Sequence, residues 1–291
     1  MEKVTKKVLI LGSTGMLGHM LFRYLEKNTS FELFDIVFRN KLREKSMVCD
    51  VTDAKKLENL ITQINPAIIV NCIGVLIKGS NSNPANAIYI NSYLPHALSN
   101  IASKTGSKLI HISTDCVFSG KKGGYLETDF RDADDVYGRS KALGELNNEH
   151  DLTIRTSIIG PEIKQEGEGL LDWFLKQEGT INGFTKAFWG GVTTLELSKA
   201  ILVAIQKKTT GLLQLTNGVP ISKFEMLSIF QSVFERKNIV INATEGKEVD
   251  KSLKSCKTGF NFQVKTYQLM IEEMKNDMLA NKNIYPSSYN L

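Results

Sequence analysis

The sequence predicts an α/β protein with a doubly wound parallel sheet and a smaller C-terminal α/β lobe. Over the first half of the chain, apolar strand-like runs alternate strictly with helical stretches, which predicts right-handed crossovers between parallel strands. The strand-like runs are continuously apolar, as expected when helices cover both faces of a sheet. After Gly160-Pro161 the elements become shorter and less regular. We therefore predict one unit over residues 1–160 and a smaller one over residues 161–291.

The individual elements follow from the spacing of apolar residues. In the first unit, strands are predicted at residues 8–11, 33–38, 68–70, 109–112 and 152–156. Helices are predicted there at residues 16–25, 57–64, 87–102 and 136–146, with Pro95 expected to kink the third. In the second unit, the same criteria predict strands at 212–215 and 239–241 and helices at 170–176, 195–205, 223–234 and 267–278. We expect this unit to share the edge of the sheet.

Composition and charge exclude several classes of protein. Of the 291 residues, 42% are hydrophobic and 23% charged, which is ordinary for a globular protein. The net charge of +5 contains no block of like charges, so we predict no nucleic-acid or membrane partner. The apolar run near the N-terminus is too short for a signal peptide. Four cysteines without C-x-x-C spacing, and histidines without ligand spacing, predict a reducing, cytoplasmic location and no metal.

A glycine-rich segment joins the first predicted strand to the first predicted helix. Its spacing is G-x-x-G-x-x-G, close to the spacing of loops that place a pyrophosphate at a helix N-terminus. Glycines there permit a tight turn, close approach of the phosphates and close packing of helix on strand. We predict that a dinucleotide cofactor binds through Gly12, Ser13, Thr14, Gly15, Met16, Leu17 and Gly18.

The residue after the second strand selects the cofactor. Arg39 lies about 20 positions beyond the loop, where a basic side chain suits the 2′-phosphate of NADPH and a carboxylate would favour NADH. Asp35 is the competing residue, but it lies within the predicted strand. The prediction is therefore NADPH, with NADH less favoured. Asp50 and Val51 are interpreted either as adenine contacts or as part of a helix N-cap region.

A Y-x-x-x-K pair lies at the start of the helix predicted at 136–146. Tyr137 and Lys141 are four residues apart and share one face of that helix. Because a nearby ammonium favours the phenolate, we expect Lys141 to lower the pKa of Tyr137, which could then pass a proton to a reacting oxygen. The spacing alone is also common among surface pairs. It becomes specific when it follows a dinucleotide loop and a Ser-Thr at the end of the fourth strand.

Three segments carry a resemblance to a known family. Residues 112–118 are ISTDCVF, residues 137–145 are YGRSKALGE and residues 155–157 are RTS. In these the chain resembles the extended short-chain dehydrogenase/reductases, most closely the dTDP-4-dehydrorhamnose reductase branch. The resemblance covers residue 8 to about residue 160. It implies a Rossmann domain and NADPH-dependent reduction of a 4-keto-6-deoxy nucleotide sugar, in the biosynthesis of deoxysugars and cell-surface polysaccharides.

The resemblance also implies roles for individual residues. Thr114 would donate its hydroxyl to the substrate oxygen, Tyr137 would be the proton donor, and Lys141 would tune Tyr137 and hold the nicotinamide ribose. Further cofactor contacts are implied for Cys72, Ile73, Gly74 and Asn91. Substrate contacts are expected from Val75, Asp115, Cys116, Val117 and Trp189. Trp189, beside two glycines, would either stack on a base or sugar or belong to the core.

Some positions depart from the family pattern. Cys116 replaces the usual tyrosine, and because no second acid follows Asp115, a dehydratase is disfavoured. The alternatives to a reductase are an epimerase that retains NAD and a non-catalytic binding subunit. A regulatory subunit of methionine adenosyltransferase has this same reductase-like fold. The predicted partner is a nucleotide-sugar substrate, and the predicted state is a monomer or homodimer.

Overall fold

A computed structural model describes residues 5–291 of the chain, so residues 1–4 of the first predicted unit lie outside the described residues. The strands within this range are β1 (Lys7–Leu11), β2 (Glu32–Val37), β3 (Met47–Val48), β4 (Ile68–Asn71), β5 (Lys108–Thr114), β6 (Leu152–Thr156), β7 (Ile158–Ile159), β8 (Gly179–Phe184), β9 (Ala187–Trp189), β10 (Val192–Thr193), β11 (Gly211–Gln214), β12 (Ile221–Ser222), β13 (Ile239–Thr244) and β14 (Val249–Asp250).

The α-helices in the same range are α1 (Met16–Asn28), α2 (Ala54–Ile64), α3 (Ile77–Ser82), α4 (Pro84–Ala87), α5 (Leu94–Thr105), α6 (Val136–Leu143), α7 (Leu170–Leu175), α8 (Thr194–Lys207), α9 (Lys223–Val233) and α10 (Tyr267–Ala280). Each predicted strand overlaps an observed one, and the strand predicted at 152–156 has the observed bounds of β6.

The central sheet confirms the predicted fold class. Among the described residues, seven strands pair in the order β3-β2-β1-β4-β5-β6-β11, and all of these pairings are parallel. The order of the strands reverses direction between β1 and β4. In a doubly wound sheet, this switch point opens a crevice at the carboxyl ends of the strands, where ligands bind.

The two predicted units share this sheet and a hydrophobic core. Strand β11, from the second unit, lies at the edge of the sheet beside β6, with Leu212 opposite Thr153. Val8 of β1 and Phe22 of α1 belong to the same buried cluster as Ile201 of α8 and Phe230 of α9. The boundary near residue 160 therefore does not separate two cores. The other strands of the second unit form small two- and three-stranded sheets.

The helix predicted at 87–102 is interrupted. A π-helical turn at Ile88–Tyr93 lies between α4 and α5, and Pro95 falls in the first turn of α5. Proline has no amide hydrogen, and its ring would clash with the carbonyl four residues earlier in a regular helix. The wider turn lies where that clash would occur, and such turns are common at functional sites. Asn91 lies within it.

Candidate active site

The glycine-rich loop forms a tight connection between β1 and α1. The Gly12 amide donates a hydrogen bond to the Ile36 carbonyl at 2.8 Å, and Gly12 has a φ of +81°. A Cβ on Gly18 would lie 2.1 Å from the Gly12 carbonyl oxygen. Only glycine fits at that point, so the helix N-terminus stays close to the loop. Its free amides then face outward, where phosphates bind.

A cavity of about 400 Å³ lies in front of this loop. Three parts of the chain form its walls: the phosphate loop, the ends of β2 and β3, and the segment after β4. Many predicted cofactor or substrate residues line it, namely Gly12, Thr14, Gly15, Asp50, Val51, Cys72, Ile73, Gly74 and Val75. Sequence reasoning missed Phe38, Thr52, Asn86 and Lys164, which line it as well.

Other predicted loop residues lie behind the cavity. Ser13 is fully buried, and its hydroxyl donates to Asp35 at 2.7 Å. Leu17 and Gly18 are buried in α1, and Met16 is half-buried beside Gly169. These residues shape the loop from below, and they do not line the cavity.

The basic residues after β2 differ in their contacts. Arg43 donates to Asp35 at 3.0 Å and to the Leu33 carbonyl at 2.6 Å, so the buried Asp35 carboxylate is occupied and does not face a ribose. Lys41 donates to the Glu44 carbonyl at 3.0 Å. The exposed Arg39 guanidinium lies 4.5 Å from the Phe38 ring and makes no side-chain hydrogen bond within residues 5–291. Arg39 itself does not line the cavity, but its guanidinium lies over Phe38, which does.

The Asp50 segment lies between the cavity and the start of α2. Asp50 and Val51 line the cavity, while the N-cap of α2 is Asp53, which accepts from the Lys56 amide at 3.0 Å. Thr52 donates to Asp50 through its amide at 3.0 Å and its hydroxyl at 2.8 Å. These two hydrogen bonds keep the pKa of Asp50 low, so the cavity wall carries a negative charge there.

Thr114 ends β5 at the carboxyl edge of the sheet. Its hydroxyl donates to Asp115 at 3.1 Å and accepts from the Cys116 amide at 3.1 Å, which caps the 3₁₀ turn formed by Asp115–Val117. Helix α6 rests on this turn so closely that a Cβ on Gly138 would lie 2.2 Å from the Cys116 carbonyl oxygen. Glycine at 138 therefore brings the neighbouring Tyr137 to Thr114.

The electrostatics of Tyr137 differ from the sequence-based expectation. Burial raises the pKa of Tyr137, the Cys116 thiol adds to the effect, and hydrogen bonding with Thr114 partly opposes it. The expected lowering by Lys141 is absent. The Lys141 ammonium faces β5 instead, where Nζ donates to the Ile112 carbonyl at 2.7 Å. Burial of the phenol therefore decides the direction of the shift, because the Lys141 ammonium is held against β5.

The pKa of Lys141 is also shifted from its ordinary value. Burial lowers its pKa to about 8, while Glu145 and Cys72 act in the opposite direction. Tyr137 and Lys141 thus form a pair of titratable groups whose pKa values are both shifted by burial, which is typical of acid–base sites.

Asn91 differs from its predicted role as a cofactor contact. It is fully buried, and its side-chain oxygen accepts from the Val75 amide at 2.9 Å. Its side-chain nitrogen donates to the Val75 carbonyl at 2.9 Å and to the Ser140 hydroxyl at 3.1 Å. Asn91 therefore ties the segment after β4 to α6 and fixes one wall of the cavity.

Trp189 packs in the core, which is one of the two alternatives that the sequence left open for it. Its side chain is only 4% exposed, and its ring centroid lies 5.7 Å from that of Tyr267. Cys116 and Asp115 remain beside Thr114, and Val117 is fully buried in a small cluster with Phe118. Of the predicted substrate contacts, Trp189 and Val117 therefore contribute packing.

Within residues 5–291, no group of histidine, cysteine or acidic side chains is arranged to hold a metal ion. Over the same residues, each helix is too short or too polar to cross a bilayer.

A doubly wound sheet, a glycine-rich loop after β1, a threonine at the end of β5 and a Tyr-Lys pair in α6 define the extended short-chain dehydrogenase/reductase class. The chain belongs to the RmlD substrate binding domain family, which matches residues 6–260. This confirms the family resemblance drawn from the motifs.

Named relatives of two kinds are similar to the chain. A dTDP-4-dehydrorhamnose reductase of Mycobacterium tuberculosis is 31% identical over 147 residues, which are 48% of this chain and 45% of the relative. Methionine adenosyltransferase 2 subunit beta of Bos taurus is 28% identical over 165 residues, 55% of this chain and 49% of the relative. These matches span about half the length of each relative.

Among solved structures, a dTDP-4-dehydrorhamnose reductase from Bacillus anthracis in complex with NADP superposes with a TM-score of 0.78 at 21% identity. The match covers 94% of this chain and all of the other, 100%. It supports the fold.

Proposed function

We propose that the protein reduces the keto group of a 4-keto-6-deoxy nucleotide sugar with NADPH. The observation that carries the proposal is that α6, which bears Tyr137, packs on the turn capped by Thr114, at the carboxyl edge of the sheet that also bears the cavity beside the glycine-rich loop. A dinucleotide in that cavity would extend toward the ends of β4 and β5. The reductases among its relatives support the same chemistry.

The groups around the cavity are of the kinds that would bind the phosphates, the adenine and the 2′-phosphate of NADPH. Phosphates would meet the first amides of α1, from Met16 onward, the adenine would lie against Asp50 and Val51, and Arg39 would hold the 2′-phosphate. Bound NADPH would supply a hydride to the keto carbon. Lys164 adds a positive charge at the cavity from the loop before α7, close to where phosphates would lie.

The chain's own residues would handle the proton. Thr114 would donate its hydroxyl to the keto oxygen and orient it, and Tyr137 would give that oxygen its phenolic proton. A phenol is protonated at neutral pH even at its ordinary pKa of about 10, and the pKa of Tyr137 is shifted further upward, so the proton to be donated is in place. The reacting carbon would lie between Thr114 and the Cys72–Val75 segment, since both follow strand ends. A sugar bound elsewhere in a substrate complex would contradict this placement.

A panel of substrates tests the proposed activity. The protein is incubated with NADPH and dTDP-, UDP- and GDP-linked 4-keto-6-deoxy sugars, and NADPH oxidation is followed by absorbance. We expect oxidation with at least one of them and a product reduced at C4. Binding of NADPH without oxidation of it by any sugar would contradict the reductase proposal.

Arg39 should set the choice between the two cofactors. We expect the parent protein to bind NADPH more tightly than NADH, and Arg39→Ala to weaken NADPH binding about 10- to 100-fold while leaving NADH binding unchanged. Titration of intrinsic fluorescence measures both affinities. Lys41→Ala is the matched control, because it removes a nearby positive charge that the Glu44 carbonyl already occupies. Equal affinities of the parent for both cofactors would refute the assignment.

A non-catalytic binding subunit is the second candidate, favoured by the likeness to methionine adenosyltransferase 2 subunit beta. This candidate predicts cofactor binding without turnover. Thr114, Tyr137 and Lys141 favour the reductase, because a binding subunit has no chemical need for a buried phenol beside a threonine hydroxyl.

A further inference from the structure

A buried chain of three polar side chains leads from the sheet to Lys141. Asn71 of β4 and His111 of β5 are register partners on neighbouring strands, and both are fully buried. The Asn71 side-chain nitrogen lies 3.2 Å from His111 Nδ1, and His111 Nε2 lies 3.5 Å from Lys141 Nζ. The reductase proposal assigns no role to Asn71 or His111.

The hydrogen bonds fix which ring nitrogen of His111 carries the proton. The Asn71 side-chain oxygen accepts from the Ile73 amide at 3.1 Å, so its nitrogen is the atom that faces His111. That nitrogen is a donor, and it therefore requires His111 Nδ1 to be an acceptor. The neutral ring then carries its hydrogen on Nε2, pointed at the Lys141 amine.

We propose that His111 is a positioning residue for Lys141. The Nε2–H group of His111 faces the Lys141 amine and favours the uncharged form of that amine, while the Ile112 carbonyl holds the amine against β5. An Nε2–H group is attracted to the lone pair of a neutral amine and is repelled by an ammonium. A role of His111 in catalysis rests on the proposed function, since Lys141 would there hold the nicotinamide ribose. The effect of His111 on the charge state of Lys141 does not depend on the proposed function.

The surrounding charges are consistent with this arrangement. Burial, followed by the charges of Lys141 and His96, lowers the pKa of His111 far below its usual value, so the ring stays neutral. Besides His111, the titratable groups that act on Lys141 are Glu145, just beyond α6, and Cys72, after β4. Both favour its charged form, whereas burial and His111 favour the neutral one.

Two measurements on the protein without ligands test the proposal. Long-range ¹H–¹⁵N spectra of histidine-labelled protein report the His111 tautomer, assigned by the loss of its signals in His111→Gln. We expect the Nε2–H form, and the Nδ1–H form would overturn the proposal. This measurement needs only the parent fold.

The second measurement is the pKa of Lys141, followed by ¹³Cε chemical shift and assigned with Lys141→Arg. His111→Leu removes the Nε2–H donor, and we expect it to raise the Lys141 pKa by about 0.5–1 unit, equivalent to one hydrogen bond. His111→Gln can accept from Asn71 and donate to Lys141, so it should keep the parent value. A purely structural histidine would lower the melting temperature in His111→Leu and leave the Lys141 pKa unchanged. Because neither measurement uses NADPH or a sugar, failure of the reductase proposal would not affect the result.

Discussion

Tyr137→Phe is expected to lower turnover by about 10²–10⁴-fold, the usual contribution of a general acid. The substitution removes one oxygen atom and keeps the ring that packs beside Cys116, so the fold and NADPH affinity should barely change. Steady-state rates and NADPH titrations on the purified variant measure both quantities. A variant within threefold of the parent's turnover would mean that the proposed mechanism is wrong.

Lys141→Met provides the contrasting variant for the same experiment. Lys141 is proposed to hold the nicotinamide ribose as well as to act electrostatically, so this variant should lose turnover and NADPH affinity together. Tyr137→Phe should lose turnover alone. If both variants lost only affinity, the pair would serve binding, as the non-catalytic candidate predicts.

The second large effect concerns a buried ion pair behind the site. Glu145 accepts from Arg155 at 2.8 and 2.6 Å, and the two side chains are only 3% and 1% exposed. The Ser113 hydroxyl donates to Glu145 at 2.7 Å, and Arg155 also donates to Gln214 of β11 at 2.9 Å. The pair thus joins the end of α6 to β5, β6 and β11.

Glu145→Gln is expected to destabilise the protein by about 3–5 kcal/mol, because it leaves the Arg155 guanidinium buried without its counter-charge. Urea unfolding followed by circular dichroism measures the change. The matched control is Glu58→Gln in the exposed Glu58–Lys104 pair, which should cost about 0.2–1 kcal/mol. Equal losses for the two variants would contradict the argument. The double variant Glu145→Gln/Arg155→Met should recover part of the loss, since it removes the unpaired charge as well.

The motifs at residues 137–145 and 155–157 predicted the family of the protein but not the contacts between their own side chains. The motifs correctly indicated the family. They did not indicate that Glu145 and Arg155 form one buried pair, because nothing in either segment specifies a partner. The signal that could have found the pair is the presence of an ionisable residue within a predicted buried strand, as Arg155 is in β6.

The residues that line the cavity beside the glycine-rich loop also fall into those that the sequence predicted and those that it did not. Gly12, Thr14 and Gly15 were predicted because loop spacing is a local pattern with a known geometry. Lys164 reaches the cavity from the second unit, and no pattern around it marks it as a cavity residue. The sequence left Trp189 either as a binding residue or as part of the core, and its burial against Tyr267 depends on contacts that no local pattern specifies.

The sequence by itself determined the parallel sheet, its helices and the phosphate loop, because apolar periodicity and glycine spacing act over a few neighbouring residues. Only the tertiary structure decided that Asn91 fixes the segment after β4 and that Lys141 faces His111. These contacts join residues that are far apart in the chain. Their formation depends on how whole elements pack, and side-chain direction is fixed only after that packing is complete.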